Sequence, residues 1–138
     1  MTETYLPSSP LAAAILALVR SSVPETCAIY EGQAPSAAEP PYAVLYFDSG
    51  RKSAFERNIL NEAPRDLRYQ TTCVGSTPEH ARWVADKVGA ALYGAVPAVP
   101  GRLVWPVIEE ASQPIRRDDE SLTSYLATSQ WLTRSEAA

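Results

Sequence analysis

The chain has 138 residues, 46% hydrophobic and 20% charged, with a formal net charge of -4. That length predicts one domain whose core buries roughly 70% of the unfolded surface without disulfide staples. The acidic balance excludes a dedicated nucleic-acid binder, which needs a basic face to release phosphate counterions, and leaves room only for a local basic patch.

Ser8 or Ser9 with Pro10 opens a first helix, in which Leu11, Ala14, Ile15, Leu18 and Val19 set an apolar stripe that ends before Pro24. The apolar run Leu11 to Val19 covers about nine residues, too few to cross a bilayer. No Lys or Arg precedes it, so it is a poor export leader, and the protein is expected to stay inside the cell where it is made. Cys27 to Glu31 reads as a short strand, Gly32 to Pro41 as a loop, and Tyr42 to Phe47 as a strand buried on both faces. Asp48-Ser49-Gly50 marks a turn. Twelve prolines favour such short, punctuated elements.

Arg51 to Asp66 is a polar stretch, carrying Arg51, Lys52, Arg57 and Arg65 with Phe55, Ile59 and Leu60 interspersed. It is either the far arm of a hairpin or an excursion with a helical turn. Leu67 to Val74 then alternates: Leu67, Tyr69, Thr71 and Cys73 on one side, Arg68, Gln70, Thr72 and Val74 on the other. The second helix is the best punctuated element. Thr77 caps it, Pro78 fits its first turn, Gly94 ends it, and Ala81, Val84, Ala85, Val88 and Leu92 form its buried stripe. Val96 to Gly101 is a Pro-rich connection, and Arg102 to Glu109 is extended with Pro106 marking an edge or bulge. Glu110 to Glu120 is expected to be a loop, Leu122 to Leu132 the closing strand, and Ser135 to Ala138 a disordered tail. The order predicts an α+β fold in a single domain spanning residues 1–138: a mostly antiparallel sheet with two helices packed on it.

The search for chemistry returns few candidates. His80 is the sole histidine, so no site needing two imidazoles forms within one chain, and no Gly-rich phosphate loop occurs. Cys27 and Cys73 sit in apolar, strand-like surroundings that suit small buried thiols, not a disulfide framework. Glu109-Glu110 and Asp118-Asp119 are paired acids, which in strands point to opposite faces and in loops are usually solvated. A small intracellular enzyme using Asp118, Asp119 or Glu110 at a metal is thus a rival reading. No cofactor is expected. Arg116-Arg117-Asp118-Asp119 sets two cations beside two anions, either screened on the surface or paired across a subunit contact. Trp83 lies one position, about 100°, off its helix's apolar stripe, at the core margin or as an interface anchor.

The strand-to-helix passage ending in Ala91-Leu92-Tyr93-Gly94, the Pro41-Tyr42 entry into an apolar strand, and Pro114-Ile115-Arg116-Arg117-Asp118 before the last strand form a layout along nearly the whole chain. It resembles the tail terminator (tail completion) proteins of long-tailed bacteriophages. The resemblance implies a non-enzymatic virion protein of the tail or neck, assembled in the host cytoplasm. Its copies would form a ring, commonly of six, that caps the tail tube, stops tube polymerisation and presents a surface for head joining. The implied partners are further copies of itself, the tail tube protein and a head completion or connector protein; DNA passes through the lumen without specific binding, and no membrane is involved. Another neck protein, such as a head completion or connector ring, is the neighbouring alternative, and a monomeric binding module a further one. The family brings no catalytic, cofactor or metal residues. The surfaces expected to meet a neighbour or the tube are Arg51, Lys52, Phe55, Arg57, Ile59 and Leu60, then Trp83, then Arg116, Arg117, Asp118 and Asp119.

Overall fold

The structure, a computed structural model, describes residues 7–52, 64–121 and 123–138. Its elements in chain order are α1 (Ser9–Ser22), β1 (Ala28–Glu31), β2 (Tyr42–Phe47), β3 (Arg51–Lys52), β4 (Arg65–Gly75), α2 (Pro78–Leu92), β5 (Arg102–Val104), β6 (Ile108–Ser112), β7 (Arg116–Arg117) and β8 (Tyr125–Ala137). Among these residues, β8 is the spine. Along one side it pairs antiparallel with all of β4, from Arg65 opposite Ser135 to Gly75 opposite Tyr125. Along the other it pairs in turn with β7, β6 and β5. The sheet order is β1-β2-β4-β8-β5; only β1 and β2 run parallel, and β3 adds to β4 at its far end. This is the α+β, mostly antiparallel single domain that the element order implies.

The helices share one face of the sheet. Thr77 Oγ1 accepts from the His80 N–H at 3.0 Å, satisfying one orphan donor of α2, and Gly94 follows its last turn at φ 70°. Ala81, Val84, Val88 and Leu92 are buried as the stripe requires, with Ala85 at the margin. In α1 the buried set is Leu11, Ile15, Leu16 and Val19, so Leu16 takes the core position expected of Leu18. Beneath the helices lie Ala43 and Leu45 of β2, Tyr69 and Cys73 of β4, and Ala127 and Trp131 of β8. Polar members of this inner face pair with each other: Trp131 Nε1 donates to Thr71 Oγ1 at 3.0 Å, and the Tyr69 and Thr133 hydroxyls are 2.8 Å apart. The helix-free face is laced by polar pairs. Arg134 Nε meets Asp66 at 2.7 Å, Arg68 Nε meets Glu110 at 3.1 Å, and Gln130 donates to Gln70 at 2.8 Å. No described helix is long and apolar enough to cross a membrane.

Four expectations along the chain's last third are corrected. Arg102 to Glu109 is not one strand; it breaks at Trp105–Val107, around Pro106, into β5 and β6. Glu110 to Glu120 is not a plain loop, since it holds the end of β6 and all of β7, with Gln113 N–H still donating to Thr128 O at 2.9 Å. The closing strand starts at Tyr125, not Leu122. The expected disordered tail is strand instead: Ser135 is buried between Arg65 and Val104, and Ala138 N–H donates to Gly101 O at 3.0 Å. For the end of β6 and for β7 the cause is plain. An exposed edge strand is held by its backbone alone, so polar side chains carry no trace of it.

Gly75 joins β4 to α2, and the two backbones nearly touch there. A Cβ on Gly75 would lie 2.2 Å from Ala81 N and 2.6 Å from His80 C, whereas one on Gly89, within α2, would meet nothing within 4 Å. Gly75→Ala is therefore expected to lose about 1–3 kcal/mol, and Gly89→Ala to gain roughly 0.5–1 kcal/mol from helix propensity. Urea unfolding of the two variants checks the opposite signs.

Candidate functional site

Nucleophilic chemistry finds little footing. Cys73 is 1% exposed, and burial pushes its thiol up to about 12, with Cys27 adding to the rise and a hydrogen bond to Thr71 opposing it. Burial also raises the Cys27 thiol. Neither offers a thiolate near neutral pH. Ser76 Oγ lies 3.3 Å from His80 Nδ1, the start of a nucleophile–base pair. A working pair needs a third group to orient the imidazole. Among the described residues none hydrogen-bonds the ring; its neighbour is Trp83, at 5.9 Å between centroids. No group of three or more His, Cys, Asp or Glu among the described residues is placed to hold a metal ion.

The residues expected at contacts fall at two ends of the sheet. Arg116 and Arg117 form β7 beside Leu126 and Tyr125, just before the tip of the long hairpin that β8 completes. Arg117 lies 5.9 Å over the Tyr125 ring; Asp118 Oδ1 accepts from the Glu120 N–H at 3.0 Å, and Asp118 N–H donates to Ser124 O. Arg116, Arg117 and Asp119 are exposed, and no ion pair joins the four charged side chains among the described residues. Trp83 belongs to the same end. It is half-buried against the core, has Lys87 Nζ 5.8 Å from its ring, and shares a hollow of about 520 Å³ with Thr26, Pro41, Thr77 and His80. Tyr42 beside that hollow has its hydroxyl pKa raised by burial first, then by Asp118 and by Tyr46 and Tyr30. Trp83 thus sits at the core margin with one side open, which keeps both of its sequence readings.

Arg51 and Lys52 lie at the opposite end, paired with Asp66 and Arg65. The length of β4 separates the two sets by about 30 Å. Phe55, Arg57, Ile59 and Leu60 lie outside the described residues. Among the described residues, the expected contact positions thus lie at two ends of the sheet.

Sequence reasoning passed over a third surface. Val104 packs on the core, so its neighbours Leu103 and Trp105 face the helix-free side, with Ile108 and Leu132 beside them. Leu103, Trp105 and Ile108 are 57%, 40% and 55% exposed, and Trp105, Pro106, Ile108, Leu132 and Arg134 enclose a notch of about 240 Å³. The alternation of Leu103 and Trp105 around Val104 was the available signal.

No family model matches the chain, and no curated protein matches it. Among solved structures it is similar to a chain from the virion of a native gene transfer agent particle, with 16% identity and a TM-score of 0.71, over 97% of this chain and 100% of that one. It is also similar to the sheath/tube terminator of an extracellular contractile injection system, PVC, in the extended state, with 14% identity and a TM-score of 0.61. That match covers 99% of this chain, which spans 57% of the terminator. At such identities the likeness is one of fold, and the fold agrees with the tail terminator resemblance of the sequence.

The raised Cys73 thiol sets a pH dependence. Its ionised form is disfavoured in the fold, so the stabilisation is complete below pH 9 and is lost as pH rises toward about 12. Unfolding free energy is expected to fall with pH above 9, less steeply in Cys73→Ala, with Tyr69 adding a slope of the same sign above pH 10. Denaturant titrations from pH 8 to 11 measure both slopes.

Proposed function

We propose that this chain is a structural component of a phage-like tail: a terminator whose copies form a ring, six by the resemblance, capping the tail tube. The observation that carries the reading is the fold match over 97% of this chain and all of a gene transfer agent virion chain, seconded by a sheath/tube terminator. In this reading the protein acts through shape and breaks no covalent bond. It works in the neck of the particle after assembly in the host cytoplasm, with the tube protein on one side and a head completion or connector protein on the other.

The two separated ends of the sheet suit such a role. Trp83 and the Arg116–Asp119 tip lie at one end, and the backbone of Arg51 and Lys52 at the other. A capping ring needs two unlike axial faces, one matching the tube end and one offering no further tube-like site. A subunit with contact groups about 30 Å apart along its strands supplies them. Lateral closure needs heterologous contacts, in which one surface of a copy meets a different surface of the next. With a net charge of -4, a lumen lined by such copies would not trap DNA phosphates.

Deleting the gene is expected to yield tails of abnormal length by electron microscopy; tails of normal length reject the role. A double Arg116→Glu, Arg117→Glu variant changes exposed side chains only, so its Tm should stay within a few degrees of the parent. Its incorporation into particles, read by immunoblot, should fall at least tenfold if the hairpin tip is a contact.

A further inference from the structure

Helix α1 carries no polar side chain between Ser9 and Arg20. A helix that is hydrophobic all round belongs in an interior. Yet only Leu11, Ile15, Leu16 and Val19 are buried, against α2 and the sheet, and Ala13 and Ala17 are exposed. Its outer side is a shallow trough of about 650 Å³ floored by Ala12, Ala13, Leu16 and Ala17, with Arg20 and Glu31 at the rim. Among the described residues, nothing covers this face.

The same chain carries a fitting cover on its other side. Leu103, Trp105 and Ile108 project from the helix-free face at the far edge of the sheet order from β1, the strand beside α1. They present roughly 300 Å² of surface, within the range of the largest apolar patch on a typical monomer, which is often functional. Arg134 and Glu136 flank them, so each surface has one cation and one anion at its margin to set register. Bulky side chains on one surface and a small-residue floor on the other are complementary in shape. Because they lie on opposite faces, neighbouring copies can overlap in one orientation, like shingles, and such a head-to-tail contact closes into a ring when its rotation allows.

We infer that a second copy of this chain seats its Leu103, Trp105 and Ile108 in the α1 trough, and that this is the lateral contact of the ring. The inference rests on the ring reading for its setting and names a surface that reading leaves open. Disulfide trapping tests it. Ala17→Cys and Ile108→Cys lie at exposed positions on opposite faces of one chain, farther apart than the roughly 7 Å Cα separation that a disulfide spans. The native Cys27 and Cys73 are buried and do not compete.

Under mild oxidation the purified double variant is expected to form a ladder of covalent oligomers, at least tenfold more than either single variant. Adding Ala13→Glu should abolish the ladder with Tm unchanged. No ladder, a ladder that survives Ala13→Glu, or dimers from Ile108→Cys alone at the level of the double variant would each overturn the contact. A ladder together with normal tail lengths in the deletion would sink the terminator role and keep the contact. Abnormal tails without a ladder would do the reverse.

Discussion

The antiparallel ladder between β4 and β8 is the constraint on which the rest of the molecule depends. It runs through all 11 residues of β4, and every other strand but β1 pairs with one of these two. Side chains alternate across a sheet, so a slip of β4 by one residue would send Tyr69 and Cys73 to water and bring Arg68 and Gln70 under the helices. Side-chain pairs on both faces oppose that slip. Tyr69 with Thr133 and Thr71 with Trp131 fix the register from the helix side; Asp66 with Arg134 and Gln70 with Gln130 fix it from the other. Asp66 is 3% exposed, and Arg134 Nε at 2.7 Å with Arg68 Nη1 at 4.0 Å supplies the pairing that a buried carboxylate needs.

From this ladder the helices follow. β4 ends at Gly75, whose missing side chain lets the backbone turn against the first turn of α2. Thr77 starts that helix two residues on, and Ala81, Val84, Val88 and Leu92 then lie back along the ladder's inner face. The candidate groups of the Trp83 end are therefore positioned by the same turn that closes the core. Trp83 is placed by the α2 start, and the Arg116–Asp119 tip by the pairing of β7 with the first residues of β8.

What the sequence made legible is what burial writes into side chains. α2 is readable because a cap, a proline, an apolar stripe and a terminal glycine agree; the first half of β4–β8 is readable because Leu67 to Val74 alternates. The end of β6 and all of β7 were not, since Ser112, Arg116 and Arg117 are exposed and are held to β8 through their backbones. The strand end at Ser135 was lost for a similar reason: a small polar residue and alanines look like a tail unless the partner strands are known. Of the candidate surfaces, the charged tip was visible as a charge cluster, whereas the Trp105 and Ile108 patch looked like a Pro-interrupted edge. The all-apolar character of α1 was also plain, but its uncovered side required the fold.

Among the described residues, both outer edges of the sheet are obstructed to further strands, which favours side-chain surfaces for the proposed association. At one edge Arg20 bonds the outward carbonyl of Ile29 through Nε and Nη2, at 3.3 and 3.0 Å, and so occupies an acceptor that an added strand would use. At the other, Pro106 and Pro114 bracket β6 and a register shift between Glu109 and Ala111 bends it, leaving no straight run of free donors. An open, straight strand edge is also a template for unlimited edge-to-edge pairing, so blunting both edges guards against open polymers. In the proposed ring, copies would then meet through side-chain surfaces whose geometry fixes a rotation. The outer face of α1 and the apolar patch on the opposite side of the sheet are two such surfaces, beside the Trp83 end.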